Sequence, residues 1–161
     1  MKIVFVQTGG TIDKDYPHTT KGWAFEFGEP AIHRILEKLN PSFEYRVLEA
    51  FQKDSLEITD NDRNTLQVLI NKQAEHKFIV THGTDTMLET AVYLNNTVND
   101  KLVIITGAML PERFTNSDAS INLGCAIGAV NILESGIYIA MHGVVKPFNE
   151  INRNLETGKY Y

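Results

Sequence analysis

Cysteine is almost missing from this chain. Cys125 stands alone, so no disulfide can form within it, which suits a reducing compartment. No apolar run approaches the ~20 residues that a membrane-spanning helix needs. No Lys/Arg block occurs, and 15 basic residues against 20 acidic ones leave a net charge of −5. That balance argues against nucleic acid as a main partner. The opening Met1-Lys2-Ile3-Val4-Phe5-Val6-Gln7 carries too short an apolar stretch for a secretory leader, and no small-residue cleavage site follows. The expected location is the cytoplasm. No internal repeat or low-complexity tract is present, and 161 residues with 43% apolar content fit one domain spanning 1–161.

Several chemistries are also missing. His18, His33, His76, His82 and His142 form no metal-binding spacing, so no metal or cofactor is expected. His82 reads as a hydrogen-bonded turn residue and Cys125 as core. G-x-S-x-G, the Rossmann glycine pattern and the P-loop all fail to match.

What is present is an alternation of short buried strands with amphipathic helices. Strands are expected at Ile3–Val6, Phe43–Leu48, Phe78–Val80, Leu102–Ile105 and Ile137–Met141. Helices are expected from Glu29 to Leu39 and from a Thr59 cap, with Asp62 three residues on, to about Glu75. A third opens at Thr86, where Glu89 has the capping-box spacing. A fourth runs from about Ser117 to Ser135, with Gly136 as its stop. Gly124 and Gly128, four apart on that last helix, suggest close packing on the sheet or on another subunit. Residues 13–29 form a long connection of the kind usually functional or mobile, and the tail from Lys146 has no strong period. The pattern implies an α/β fold: three layers, a mainly parallel sheet with helices on both faces, flavodoxin- or Rossmann-like. Ligands bind such sheets at the strand C-termini, where strand order reverses.

Two stretches point at that edge: Thr8-Gly9-Gly10-Thr11-Ile12 and Thr81-His82-Gly83-Thr84-Asp85-Thr86-Met87. Taken alone, Gly9-Gly10 reads first as an anion cradle of backbone N–H groups. Thr11 follows the glycine turn, where its hydroxyl can be exposed. A threonine hydroxyl needs a base or a polarised carbonyl to act as a nucleophile. Backbone N–H groups at Thr84 and Asp85 can bind a carboxylate, and the Asp85 carboxylate can accept from an ammonium.

In this order, each at a strand end, the two stretches resemble the signatures of the bacterial-type L-asparaginases, which hydrolyse the side-chain amide of asparagine. Gly107-Ala108-Met109 and Asp54-Ser55 match in order as well, and the resemblance covers nearly the whole chain. It looks like a short, single-domain form without the usual C-terminal domain. The resemblance implies Thr11 as the nucleophile, and Thr84 with Asp85 in a second hydroxyl–carboxylate–lysine group. It also implies that Asp85 holds the substrate ammonium and Ser55 the carboxylate. Gly10, Gly83, Thr84 and Ala108 would line the substrate, with oxyanion donors near Thr11 and Thr84. Tyr16 is the candidate for the family's loop tyrosine.

Two departures stand out. A gap-free match puts Arg153 where the family has its lysine. Arginine keeps the charge but does not give up a proton near neutral pH, so weaker catalysis is expected; Lys146 and Lys159 are possible substitutes. Leu56 replaces a polar residue found in several relatives. The reading is L-asparagine hydrolysis through an acyl-enzyme, with weak glutaminase activity as a side reaction. The alternative is an amino-acid-binding module of the same fold. Self-association as a dimer or tetramer is expected, to exclude water from an open crevice.

Overall fold

The computed structural model describes residues 1–16 and 25–161. Its elements, in chain order, are β1 (Lys2–Gly9), the short pair β2 (Lys14–Asp15) and β3 (Glu26–Phe27), α1 (Ala31–Leu39) and β4 (Glu44–Lys53). They continue with α2 (Asp60–Asn71), β5 (Lys77–Thr81), α3 (Met87–Thr97), β6 (Leu102–Thr106), α4 (Ala119–Val130), β7 (Gly136–Met141) and β8 (Val144–Pro147). Single 3-10 turns follow β1 at Thr11–Asp13 and β4 at Ser55–Glu57. Part of the long 13–29 connection, with His18, lies outside the described residues.

The sheet runs β4-β1-β5-β6-β7-β8. Every pairing is parallel except β7 with β8. Alternate residues of the strands feed two cores. Ile3, Phe5, Ile79 and Ile104 face α1 and α4. Val4, Val6, Phe78, Val80, Val103 and Ile105 face α2 and α3. Both sheet faces are therefore covered, which explains why the strands read as continuous apolar runs. The chain leaves β1 to build β4 on one side, then crosses back to build β5 on the other. Strand order reverses between β1 and β5, and that switch point opens a crevice at their C-terminal ends.

Local sequence accounts for several element ends. Thr59 accepts from the Asp62 N–H, and the Asp62 carboxylate accepts from the Thr59 N–H at 2.8 Å, the expected capping box. Asn40, in the left-handed conformation, ends α1.

Other expectations need correction. Thr86 precedes α3 but makes no side-chain cap; its hydroxyl donates instead to the Ser55 carbonyl, 2.7 Å away. The second helix stops at Asn71, short of Glu75, and α4 stops at Val130. Gly136 opens β7 and is not a helix terminator. A Cβ at Gly124 or Gly128 would meet nothing within 4 Å among the described residues, so neither glycine serves close packing on the sheet. Cys125 is only half-buried. The tail is not featureless: β8 pairs with β7 through a His142–Gly143 turn, where both residues have positive φ.

Candidate active site

β1 ends in a bulge. Its register against β4 shifts between Gln7 and Gly9, and Gly9 and Gly10 take φ of 94° and 85°. These values need glycine, and so does the space around them. A Cβ on Gly9 would lie 2.6 Å from the Lys53 backbone, and one on Gly10 would overlap the Gly83 backbone. The turn after β1 and the turn after β5 are thus in backbone contact. A Cβ on Gly83 would lie 2.5 Å from the Ser55 Cβ, and one on Gly107 would overlap the His82 carbonyl. The turns after β1, β4, β5 and β6 therefore interlock at one edge of the sheet.

This contact brings Gly10, Ser55, Gly83, Thr84 and Asp85 together. Thr11 opens the 3-10 turn directly after Gly10 and is half-buried. Thr84 is 7% exposed. The Ser55 hydroxyl accepts from the Asp85 N–H at 3.3 Å, so this N–H already has a partner inside the protein. Ser55 keeps its own proton for donation. Ala108 is buried, so it can offer a ligand only its backbone. Leu56 is exposed.

Arg153 reaches the same cluster from the C-terminal segment. Its Nη1 donates to Asp85 Oδ1 at 2.8 Å. Lys159 is exposed and Lys146 half-buried, and neither has an ion pair to Asp85 among the described contacts. Tyr16 has a 63% exposed side chain. Its ring packs against Phe25 (centroids 5.4 Å apart) and Phe114 (6.0 Å), an aromatic cluster at the mouth of the β2–β3 hairpin.

Several further groups surround the site, and all but His82 lacked a clear signal in the sequence. Tyr160, in the polar tail, is buried, and its hydroxyl donates to the Thr84 carbonyl at 2.6 Å. His82 is buried, with Nδ1 2.7 Å from the Gly83 carbonyl and Nε2 2.9 Å from the Thr90 hydroxyl. Arg63 Nε donates to that hydroxyl at 3.2 Å. Burial pulls His82 down to about 4, which keeps it neutral, with one nitrogen donating and the other accepting. It is the hydrogen-bonded turn histidine anticipated from the sequence. Asp13, two residues after Thr11, accepts from the Ala31 N–H at 2.7 Å and so caps α1 from a distance. Burial pushes its carboxyl up to about 6, against the pull of that N–H, Gln7 and Arg34.

Among the described residues no group of His, Cys, Asp and Glu could hold a metal ion, and no helix is long and apolar enough to cross a membrane. The site gathers hydroxyls, one paired carboxylate and backbone N–H groups at a switch point. Such a set can bind a zwitterion and present an alcohol to a carbonyl.

The chain also has similar sequences and folds among known proteins. The chain is similar to the glutaminase-asparaginase of Acinetobacter glutaminasificans, 27% identical over 164 residues that cover 95% of this chain and 50% of the relative. It is similar to L-asparaginase 2 of Escherichia coli, 29% identical over 96% of this chain and 47% of the relative. The chain thus spans about half the length of the curated relatives it matches. In fold it is similar to the thermostable L-asparaginase from Thermococcus kodakarensis, with a TM-score of 0.82 at 24% identity, covering 95% of this chain and 48% of that one. The crystal structure of a "probable cytoplasmic L-asparaginase" from Campylobacter jejuni gives a TM-score of 0.81 at 25% identity, covering 99% of this chain and 52% of that one. The asparaginase N-terminal family matches residues 2–157, and the chain belongs to that family.

Proposed function

We propose that this chain hydrolyses the side-chain amide of L-asparagine to aspartate and ammonia, with glutamine as a poorer substrate. Thr11 Oγ attacks the amide carbon, and the C–N bond breaks as the nitrogen leaves with a proton as ammonia. Water then cleaves the threonine ester and restores the hydroxyl. Backbone N–H groups beside Thr11 and Thr84 receive the negative charge that develops on the carbonyl oxygen; one such donor is typically worth about 3 kcal/mol of barrier. Asp85 binds the substrate ammonium, and Ser55 donates to its carboxylate. Gly10 and Gly83 let the substrate approach the backbone, and the Ala108 backbone lines the same crevice. Arg153 orients Asp85 through its ion pair. Tyr16 contributes from the loop after the first signature. No cofactor enters the reaction.

The observation that carries this reading is the backbone contact between Gly10 and Gly83, which sets the turns bearing Thr11 and Thr84 side by side at the switch point. Its test is a coupled ammonia assay across asparagine and glutamine. We place the activity in the cytoplasm and in a homo-oligomer, consistent with a crevice that needs a cover.

One observation favours a second reading. Arg153 occupies the position paired with Asp85, and an arginine cannot act as a base near neutral pH. A protein that binds asparagine or aspartate without turnover would have this arrangement. Ammonia release by the wild-type chain separates the two readings.

A further inference from the structure

We propose that Tyr160 is a positioning residue for Thr84, tying the Thr84 carbonyl and the Asp85–Arg153 pair into one closed unit. The proposal deepens the amidohydrolase reading and rests on it for its catalytic consequence. Its geometric content can be tested separately.

The segment 148–161 is polar, yet Tyr160 is 3% exposed while Lys159 and Tyr161 on either side are exposed. A buried phenol requires a partner. Its partner is the Thr84 carbonyl, 76 residues away in sequence and 2.6 Å away in space. Burial pushes the phenol up to about 12, so it remains a hydrogen donor throughout the neutral range.

The backbone makes this position rigid. Arg153 and Tyr160 face each other in an isolated antiparallel bridge. Asn152 and Tyr161 exchange both N–H to carbonyl bonds beside it, each 3.0 Å. The Tyr160 N–H donates to His142 Nδ1 at 3.2 Å. The bridge sets the Arg153 guanidinium 5.8 Å from the Tyr160 ring centre, within cation–π range. That guanidinium then holds Asp85. The contacts close a ring: Thr84 is joined by its peptide to Asp85, Asp85 by charge to Arg153, Arg153 by stacking to Tyr160, and Tyr160 by its hydroxyl back to Thr84.

Such a ring constrains the backbone at Thr84, the base from which its side chain projects. Errors of about 1 Å in a reacting group can cost a hundredfold in rate. A residue that only filled space would need the aromatic ring and not the hydroxyl.

The experiment uses Tyr160→Phe in the full chain, with Tyr161→Phe as the exposed control. Two quantities are measured: kcat and KM for ammonia release from asparagine, and amide hydrogen exchange by NMR. The Asp85 N–H, which donates to Ser55, is compared with the N–H groups of β5. The expected result for Tyr160→Phe is a loss of about tenfold or more in kcat, with KM essentially unchanged. The Asp85 N–H exchanges faster, the β5 groups keep their protection, and Tyr161→Phe behaves as wild type. A wild-type kcat in Tyr160→Phe overturns the proposal, and so does a uniform loss of protection across β5 and Asp85 together. If the wild-type chain releases no ammonia, the amidohydrolase reading falls. The positioning role is then decided by exchange alone: faster exchange at Asp85 upholds it, and unchanged exchange overturns it.

Discussion

Arg153 Nη1 lies 2.8 Å from Asp85 Oδ1, across 68 residues of sequence. The guanidinium side chain is 13% exposed and the carboxylate 45%. A pair with one half-exposed partner contributes little to folding, about 0–1 kcal/mol. Its value lies in direction: it sets where the Asp85 carboxylate points, beside the turn that carries Thr84.

The pair yields the first prediction. Arg153→Ala lowers kcat/KM for asparagine by roughly ten- to a hundredfold, because Asp85 loses its orientation and the site its positive charge. Arg153→Lys raises activity above wild type, because a lysine in that place can exchange a proton and arginine cannot. Steady-state ammonia release checks both. An unchanged rate in Arg153→Lys would move the proton-exchanging group elsewhere.

Gly10→Ala is predicted to be far more damaging than an exposed alanine substitution. The new methyl group would overlap the Gly83 backbone, and the residue would keep a φ of 85°. Backbone strain alone costs about 1–3 kcal/mol. Urea denaturation should show a loss of that order or more, together with a loss of turnover. Gly124→Ala, with open space around it, should instead hold or raise stability by about 0.5–1 kcal/mol.

How far these features could be read beforehand depended on distance along the chain. The Thr59–Asp62 box was legible because donor and acceptor lie within one turn. The same spacing at Thr86 and Glu89 misled, because the Ser55 carbonyl, 31 residues away, takes the Thr86 hydroxyl. The strands were legible from their apolar runs, since both faces are buried. β8 was missed although His142–Gly143 resembles the two-residue turns that accept positive φ. Gly10 and Gly83 were expected to line a substrate, but their mutual contact follows only from β1 and β5 being neighbours. Tyr160 had no local signal. A lone tyrosine in a polar tail acquires its role from Thr84, which only the tertiary fold brings near.

Asp13 and His82 give a pH prediction, because burial acts on them with opposite sign. Asp13 is raised from 3.8 to about 6. The folded state holds that proton more tightly, so this contribution is full at low pH and is lost as pH rises towards 6. His82 is lowered from 6.5 to about 4. The unfolded state then binds the proton more tightly, so this contribution is full above 6.5 and is lost as pH falls towards 4. Each is worth about 3 kcal/mol across its window, and the two oppose each other between pH 4 and 6. Asp13→Asn keeps an acceptor for the Ala31 N–H and removes the first slope. Its stability should therefore climb more steeply than wild type from pH 4 to 6, and exceed wild type at pH 7 by about 1–3 kcal/mol. Urea denaturation at stepped pH is the check; parallel curves for the two proteins would contradict it.

The central claim is that Thr11 attacks an amide carbonyl. The most direct measurement is ammonia release from L-asparagine at high enzyme concentration, by wild type and by Thr11→Ala, with aspartate binding followed by calorimetry in both. The account predicts turnover in the wild type, a fall to background in Thr11→Ala, and aspartate binding in each. Binding without any wild-type turnover, or equal turnover in Thr11→Ala, would contradict it.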